Sequence, residues 1–113
     1  MNNTKFITLY NQILCHIEDY LDKFDHKTEM DYEIVHHMMT ISFSLNNKII
    51  VSKQETLKQI WLATKNNGYH FNYQNNNWIC SKTKKNFWRI LEEAFYIQGN
   101  EKVDFSKFIT IVK

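Results

Sequence analysis

Residues 18–33 read EDYLDKFDHKTEMDYE, and within this stretch the spacing of the apolar side chains changes. Before Lys27, apolar residues recur every three or four positions, which is typical of an amphipathic helix. After it, Met30, Tyr32 and Ile34 alternate with acidic residues, as in a strand with one buried face. The stretch therefore predicts a fold in which a helix leads directly into a sheet and packs against it.

The helical pattern extends back from this stretch almost to the N-terminus. We predict helix 1 over residues 1–25, with Asn3 or Thr4 as the residue that caps its first turn. An apolar stripe runs along about five turns of this helix. The stripe consists of Phe6, Leu9, Ile13, Ile17, Leu21 and Phe24.

Downstream, short segments rich in β-branched and aromatic residues alternate with turns rich in asparagine. They predict an antiparallel sheet of five or six strands over residues 29–81. After the first, acidic strand, the segments are MMTISFS, KIIVS, QIWLAT, YHFNY and NWICS.

The helical spacing returns near Phe87 and predicts helix 2 over residues 84–98, with Gly99 suited to its C-terminal cap. Two helices with one apolar face each, and a sheet that needs one face covered, form an α+β two-layer α-β sandwich. We predict one domain over residues 1–113, with both helices on the same face of the sheet. The tail, residues 100–113, is predicted to pack between the helices. Its apolar residues are Val103, Phe105, Phe108, Ile109, Ile111 and Val112.

The composition is that of a folded protein, because 43% of the residues are hydrophobic and 23% are charged. No apolar run reaches the roughly 20 residues needed to cross a bilayer, so no membrane span is predicted. The N-terminus has neither export-signal nor transit-peptide character, and we therefore expect a cytoplasmic protein. Cys15 and Cys80 fit no metal or haem spacing and are predicted to be buried free thiols.

Charge is distributed unevenly along a chain whose formal net charge is +2. Residues 1–33 hold seven acidic and three basic side chains, whereas residues 34–113 hold five acidic and eleven basic ones. The seven clustered carboxylates are here called the acidic ridge. They are Glu18, Asp19, Asp22, Asp25, Glu29, Asp31 and Glu33.

The spacing of the acidic ridge predicts a continuous, exposed surface. Glu18, Asp22 and Asp25 share one stripe of helix 1, and the last three acids share the outward face of the first strand. Carboxylates without thiolates or imidazoles offer hard oxygen ligands to hydrated, oxygen-seeking cations. Flexible side chains on a convex surface leave such a cation hydrated, so we expect modest affinity and fast exchange. A solvated helix face without a ligand is the alternative.

Residues 53–71, KQETLKQIWLATKNNGYHF, resemble the frataxin family in its bacterial form. The resemblance extends over nearly the whole chain, to residue 97, and the acidic ridge after a long first helix matches the family pattern as well. The matching residues are Gln54, Gln59, Trp61 and Leu62, the strands Gly68–Phe71 and Asn77–Cys80, and Phe87 and Trp88 at the opening of helix 2.

The resemblance implies a function in iron–sulfur cluster assembly. It implies that the acidic ridge binds ferrous and ferric iron weakly and docks on the basic surface of a cysteine desulfurase. Members of the family are regarded as iron donors or as iron-dependent brakes on assembly. The iron-binding role is carried over to all seven residues of the acidic ridge, whereas Lys23 and Lys27 depart from the family's fuller acidic pattern.

The same resemblance implies a second contact surface, toward the cluster scaffold protein, on the open face of the central strands. Trp61 matches a family tryptophan exposed there, whereas spacing alone places a strand tryptophan more often in the core. Ser52 and Thr56 stand where the family usually has asparagine and proline. The predicted partner-binding residues are Glu18, Asp19, Asp22, Gln54, Gln59 and Trp61.

Three hypotheses for function follow from the sequence. The first is a regulator that carries or senses iron, the second a docking module that needs no metal, and the third a ferroxidase. We expect no conventional enzyme, because no nucleophile–base pair or phosphate-binding loop can be assembled. A single arginine is too few for base readout, so no nucleic-acid partner is predicted. We expect a monomer, with iron-dependent oligomers as the alternative.

Overall fold

The computed structural model describes residues 1–111, in which two helices cover one face of a six-stranded sheet. The α+β two-layer architecture predicted from the sequence is confirmed. In chain order the elements are α1 (Asn3–Lys23), β1 (Asp31–Val35), β2 (Met38–Ser44), β3 (Asn47–Gln54), β4 (Gln59–Ala63), β5 (Gly68–Gln74), β6 (Asn77–Cys80), α2 (Phe87–Gly99) and a 3₁₀ turn at Ser106–Phe108.

Each strand pairs antiparallel with the next, in the order β1-β2-β3-β4-β5-β6. The register pairs Ile41 with Ile49 and Val51 with Leu62, and all four side chains are buried. The residues that alternate with them along β2, β3 and β4 are partly or fully exposed. The helices therefore cover one face of the sheet and leave the other face open.

Aromatic side chains join the helices to the sheet. The Phe6 ring of α1 packs edge-on against Trp78 of β6, with ring centroids 5.9 Å apart. The Phe87 ring of α2 packs edge-on against Phe71 of β5 at 5.1 Å. All four rings are buried, so these contacts fix both helices over the same end of the sheet.

Tyr10 fixes the other side of α1 over the sheet. Its hydroxyl lies 2.5 Å from the His37 carbonyl oxygen and 3.3 Å from the Val51 carbonyl oxygen. Burial raises the pKa of Tyr10, so the side chain stays a neutral donor. The helix is thereby held across the turn that follows β1.

The first turn of α1 is capped one position earlier than predicted. The Asn2 side chain accepts a hydrogen bond from the Lys5 N–H at 2.8 Å, so neither Asn3 nor Thr4 is the cap. A cap residue precedes the first helical residue, and both predicted caps lie within the helix.

The C-terminal end of α1 also differs from the prediction, and the difference affects the acidic ridge. The helix ends at Lys23 because the backbone of Phe24 is extended, with φ −80° and ψ 131°. Asp25 therefore lies beyond the helix rather than in its last turn. Glu29 lies in the same loop, because β1 begins at Asp31 rather than at residue 29.

The tail crosses the groove between the two helices. Phe105 is fully buried, and its ring centroid lies 4.7 Å from that of Tyr20 in α1 and 5.2 Å from that of Trp88 in α2. Ile111 is 82% exposed, so its predicted burial is wrong. Val112 lies outside the described residues.

The two edges of the sheet differ in how they are covered. At the β6 edge, Asn86 forms a bridge with Ile79, and the Asn77 side chain bonds the Thr110 N–H at 2.9 Å and its carbonyl at 2.8 Å. These bonds draw the tail to the sheet edge before Ile111, which explains the exposure of that residue. Within residues 1–111, β1 pairs with β2 alone, so the opposite edge is open.

The two cysteines have different environments. Cys80 is buried as predicted, but Cys15 is exposed, so the prediction for Cys15 is wrong. Cys15 follows Leu14 at the margin of the buried face of α1, and one further residue turns the side chain to solvent. Burial opposes ionisation of Cys80, but hydrogen bonds from Thr83 and the charge of Lys82 outweigh it and lower its pKa.

The turn between β1 and β2 offers a test of backbone strain. His36 and His37 have φ angles of 52° and 63°, in the left-handed region that suits Asn-Gly better than histidine. Replacing the pair by Asn-Gly is expected to raise the free energy of unfolding by about 1 kcal/mol, measured by urea denaturation. Asn46→Gly, where φ is not positive, is the control and should give no gain. Lower stability of the Asn-Gly variant would contradict the strain.

Candidate functional site: an acidic ridge at the open sheet edge

The helical part of the acidic ridge lies on the C-terminal half of α1. Asp19 and Asp22 are exposed and Glu18 is half-buried. The Tyr32 hydroxyl of β1 donates to Asp22 Oδ1 at 2.6 Å and lies 3.5 Å from Glu18 Oε2. The edge strand therefore runs beside this half of the helix.

Tyr32 is a member of the site that sequence reasoning missed. Its hydrogen bond to Asp22, its burial and the charges of Asp22 and Glu18 all raise the pKa of Tyr32. The phenol stays protonated and keeps donating to the carboxylates. In the sequence, Tyr32 stands between two acidic residues of an alternating strand. That position is typical of any half-buried strand residue, so it did not indicate a contact with the carboxylates of α1.

The strand part of the acidic ridge lies on the other side of the edge strand. Asp31 and Glu33 are exposed and alternate with Tyr32, so they project from the face of β1 opposite to the helices. Asp31 Oδ1 accepts a hydrogen bond from the Tyr32 N–H at 2.8 Å. The carboxylates of α1 and of β1 therefore lie on opposite sides of the edge strand, whereas the spacing predicts one continuous surface.

The loop part of the acidic ridge holds Asp25 and Glu29, both exposed. The loop is fixed by Glu101, a tail residue that is only 1% exposed. The Glu101 carboxylate accepts hydrogen bonds from the Lys27 N–H, at 3.1 and 2.9 Å, and from the Thr28 N–H, at 2.8 Å. The Thr28 hydroxyl adds a fourth bond at 2.5 Å. Sequence reasoning assigned no role to Glu101.

Within residues 1–111, no carboxylate of the acidic ridge forms an ion pair with a basic side chain. The ion pairs in the part of the chain that the structure describes join Lys53 to Glu55, Lys85 to Glu93 and Arg89 to Glu92. None of them includes a ridge residue. The surface therefore keeps a concentrated negative field at the open edge.

The acidic ridge is an open surface rather than a preformed cage. Across residues 1–111, no three side chains of His, Cys, Asp or Glu are grouped closely enough to hold a metal ion. Exposed carboxylates still supply hard oxygen donors, which fit Fe²⁺ and Fe³⁺ with part of their hydration shell retained. Such an arrangement offers a cation negative charge but few direct ligands.

Glu101 gives the loop a predictable pH dependence. Burial opposes its ionisation, but hydrogen bonds from Thr28 and Lys27 and the charge of His26 outweigh burial, so the pKa of Glu101 lies below its ordinary value of 4.5. Its stabilising contribution is therefore full above that ordinary value and is lost as the pH falls through the lowered value.

The corresponding measurement compares the wild type with Glu101→Gln by urea unfolding from about pH 7 to about pH 3. We expect the wild type to be the more stable protein at neutral pH and the difference to shrink in acid. Other carboxylates titrate in the same range, but they are common to both proteins. A difference that stays constant with pH would contradict the lowered pKa.

The other predicted contact residues lie on the open face of the sheet. Trp61 is half-buried there, which is neither the core position that spacing alone favours nor the exposure that the resemblance implies. Its ring stacks on His70, with centroids 4.3 Å apart and planes 11° apart, and its Nε1–H donates to Gln59 Oε1 at 2.9 Å. Gln59 in turn donates to Asn72 at 3.1 Å. Gln54 is half-buried at the end of β3.

In the described range, no helix is both long enough and apolar enough to span a membrane.

Two helices on one face of a six-stranded antiparallel sheet, with carboxylates gathered at its open edge, define a class of protein. Residues 1–101 match the family model described as a frataxin-like domain, and the chain belongs to this family. It is 50% identical over 105 residues to the iron-sulfur cluster assembly protein CyaY of Buchnera aphidicola subsp. Acyrthosiphon pisum, covering 93% of this chain and 90% of the relative.

Solved structures agree with this assignment. Frataxin from Psychromonas ingrahamii superposes with a TM-score of 0.83 at 34% identity, over 93% of this chain and 98% of that chain. Trimeric frataxin from Saccharomyces cerevisiae, complexed with ferrous iron, superposes with a TM-score of 0.71 at 25% identity. That match covers 82% of this chain and 87% of the yeast chain.

Proposed function

We propose that this protein is an iron-binding regulator or iron donor in iron–sulfur cluster assembly. In this proposal it binds Fe²⁺ and Fe³⁺ weakly on the acidic ridge and docks on the complex of cysteine desulfurase and scaffold protein in the bacterial cytoplasm. The observation that carries the proposal is a set of seven carboxylates, none in an ion pair within residues 1–111, around the open sheet edge. The Buchnera relative's function and the yeast relative's ferrous complex support it.

The chemistry of the acidic ridge suits exchangeable iron. Carboxylate oxygens are hard ligands that iron accepts in both oxidation states. Without a closed set of protein ligands, the ion keeps water at most of its coordination positions, so it dissociates rapidly. The protein is therefore proposed to be a carrier or sensor rather than an enzyme, and a monomer when iron is absent.

The same charge supports docking on a basic partner surface. Opposite charges accelerate encounter and fix orientation, and their effect weakens as salt is added. Trp61, held by His70 and Gln59 on the open face, offers a rigid aromatic contact of the kind that anchors interfaces. We propose that the acidic ridge meets the desulfurase and that Gln54, Gln59 and Trp61 meet the scaffold.

An anaerobic Fe²⁺ titration followed by amide NMR tests the iron-binding part. We expect shifts or broadening confined to residues 18–33, and their loss in a Glu18→Gln/Asp22→Asn variant. Glu93→Gln, which alters an exposed carboxylate of α2, is the matched control and should respond like the wild type. If residues 18–33 stay unmoved at millimolar Fe²⁺, iron binding at the acidic ridge is wrong.

A metal-independent docking module is the second candidate, and the absence of a grouped ligand set within residues 1–111 favours it. In this alternative the acidic ridge modulates the desulfurase by charge alone. Binding to purified desulfurase, measured with Fe²⁺ and with chelator at several salt concentrations, separates the two. Binding that weakens as salt is added but does not depend on iron supports the docking module. Iron-dependent binding or iron-dependent cluster assembly supports the first proposal.

A further inference from the structure

We infer that Glu101 is a positioning residue for the acidic ridge: it holds the loop between α1 and β1 and so fixes the positions of Asp25 and Glu29 relative to α1. The inference rests on the proposed function, because it concerns the same iron-binding surface. Glu101 itself is buried and its oxygens are occupied, so it is not proposed as a ligand.

The contacts of Glu101 are confined to one short segment of the loop. Three backbone bonds and one hydroxyl bond reach its carboxylate from Lys27 and Thr28, more than seventy residues earlier in the chain. These donors form a small nest for an anion, which is the arrangement that best compensates a buried carboxylate. The loop backbone therefore has a fixed position relative to the tail.

Two acids of the ridge lie within two residues of this segment. Asp25 precedes Lys27 by two positions, and Glu29 follows Thr28 directly. Asp25 and Glu101 also line the same surface cavity of about 360 Å³, together with Phe24. A displacement of the Lys27–Thr28 backbone must therefore move both carboxylates relative to α1.

The backbone of Glu101 is in turn held in place by α2. Asn100 adopts a left-handed conformation, φ 50° and ψ 34°, that ends α2 and redirects the chain. The Glu101 N–H then donates to the Phe95 carbonyl at 3.2 Å. Glu101 is thus anchored to the last turn of α2, and the loop of the acidic ridge is anchored to Glu101.

The test is the anaerobic Fe²⁺ titration by amide NMR applied to Glu101→Gln, at a temperature where its spectrum shows a folded protein. A glutamine amide is neutral and has one acceptor oxygen, so it cannot reproduce the nest. We expect the iron-induced changes at Asp25 and Glu29 to fall by more than half, while those at Glu18 and Asp22 persist. Faster hydrogen exchange at the Lys27 and Thr28 amides should accompany this change.

Glu93→Gln is the matched control, because it makes the same chemical change at an exposed position. Equal iron responses at Asp25 and Glu29 in Glu101→Gln and in Glu93→Gln would overturn the inference and leave the proposed function standing. No iron response in the wild type would overturn both.

A milder variant covers the case in which Glu101→Gln does not fold. Thr28→Val removes only the hydroxyl donor and keeps the side-chain shape. It should weaken the iron response of Glu29 and speed exchange of the Thr28 amide, with the responses of Glu18 and Asp22 intact. Unchanged exchange and an unchanged response of Glu29 in this variant would count against the inference.

Discussion

Replacing Phe105 by alanine is expected to lower the free energy of unfolding by about 3–5 kcal/mol. The Phe105 side chain is fully buried and its ring contacts Tyr20 of α1 and both Trp88 and Phe95 of α2. Truncation leaves a cavity at the point where the helices and the tail meet, and the backbone cannot close it without moving a helix. Urea unfolding at neutral pH measures the change.

The control for this prediction is Ile111→Ala, in the same tail. Ile111 is 82% exposed, so its truncation should change the free energy of unfolding by less than about 0.5 kcal/mol. A variant protein cut after Gly99 should lose at least as much stability as Phe105→Ala. If Phe105→Ala unfolds at the same urea concentration as the wild type, the tail does not stabilise the helix pair.

Gly99→Ala is expected to destabilise the protein, although alanine is the better helix former. An added Cβ at Gly99 would lie under 3.0 Å from three carbon atoms of the Phe43 ring. That ring packs edge-on against Phe95 with centroids 5.5 Å apart, so it cannot move without disturbing the core. Overpacking costs about 1–3 kcal/mol, against a gain of about 1 kcal/mol in helix propensity.

Gly68→Ala provides the matched control for this substitution. Gly68 also has no positive φ, but an added Cβ there meets nothing within 4 Å. We expect it to be neutral or slightly stabilising, because alanine restricts the unfolded chain more than glycine does. Thermal unfolding of the two variants should place Gly99→Ala below the wild type. Equal melting temperatures for all three proteins would show that the Phe43 ring can move aside without loss of stability.

Apolar periodicity predicted most of the fold because the central strands of this chain follow it closely. The buried residues of β2 and β3 alternate without exception at Met39, Ile41, Ile49 and Val51, so their segments could be recognised as half-buried strands. The predicted positions of the helices were wrong at their ends. Helix 2 was predicted over residues 84–98, but α2 spans Phe87–Gly99, and it is Asn100 rather than Gly99 that caps it. Caps depend on single backbone conformations such as the extended Phe24, which apolar spacing does not encode.

The sequence was sufficient to predict which residues form the acidic ridge, but only partly how they are arranged in space. Strand spacing correctly predicted that Asp31 and Glu33 project from the face opposite to Tyr32, and six of the seven carboxylates are exposed as predicted. Spacing did not predict that Glu18 is half-buried or that Asp25 and Glu29 lie in a loop. Glu101 could not be found, because its partners are backbone N–H groups far away in the chain. Backbone donors have no residue signature, so a contact of this kind becomes visible only in three dimensions.

The open β1 edge has a consequence for self-association. An unpaired edge strand is a template for adding further strands, and proteins commonly guard such edges with charge. If two copies of β1 aligned antiparallel, Asp31 and Glu33 of one copy would face the same acids of the other, and like charges across a strand pair repel. Protonation in acid or bound multivalent cations would remove this repulsion. Aggregation should therefore begin at this edge, and be fastest where the carboxylates have lost their charge.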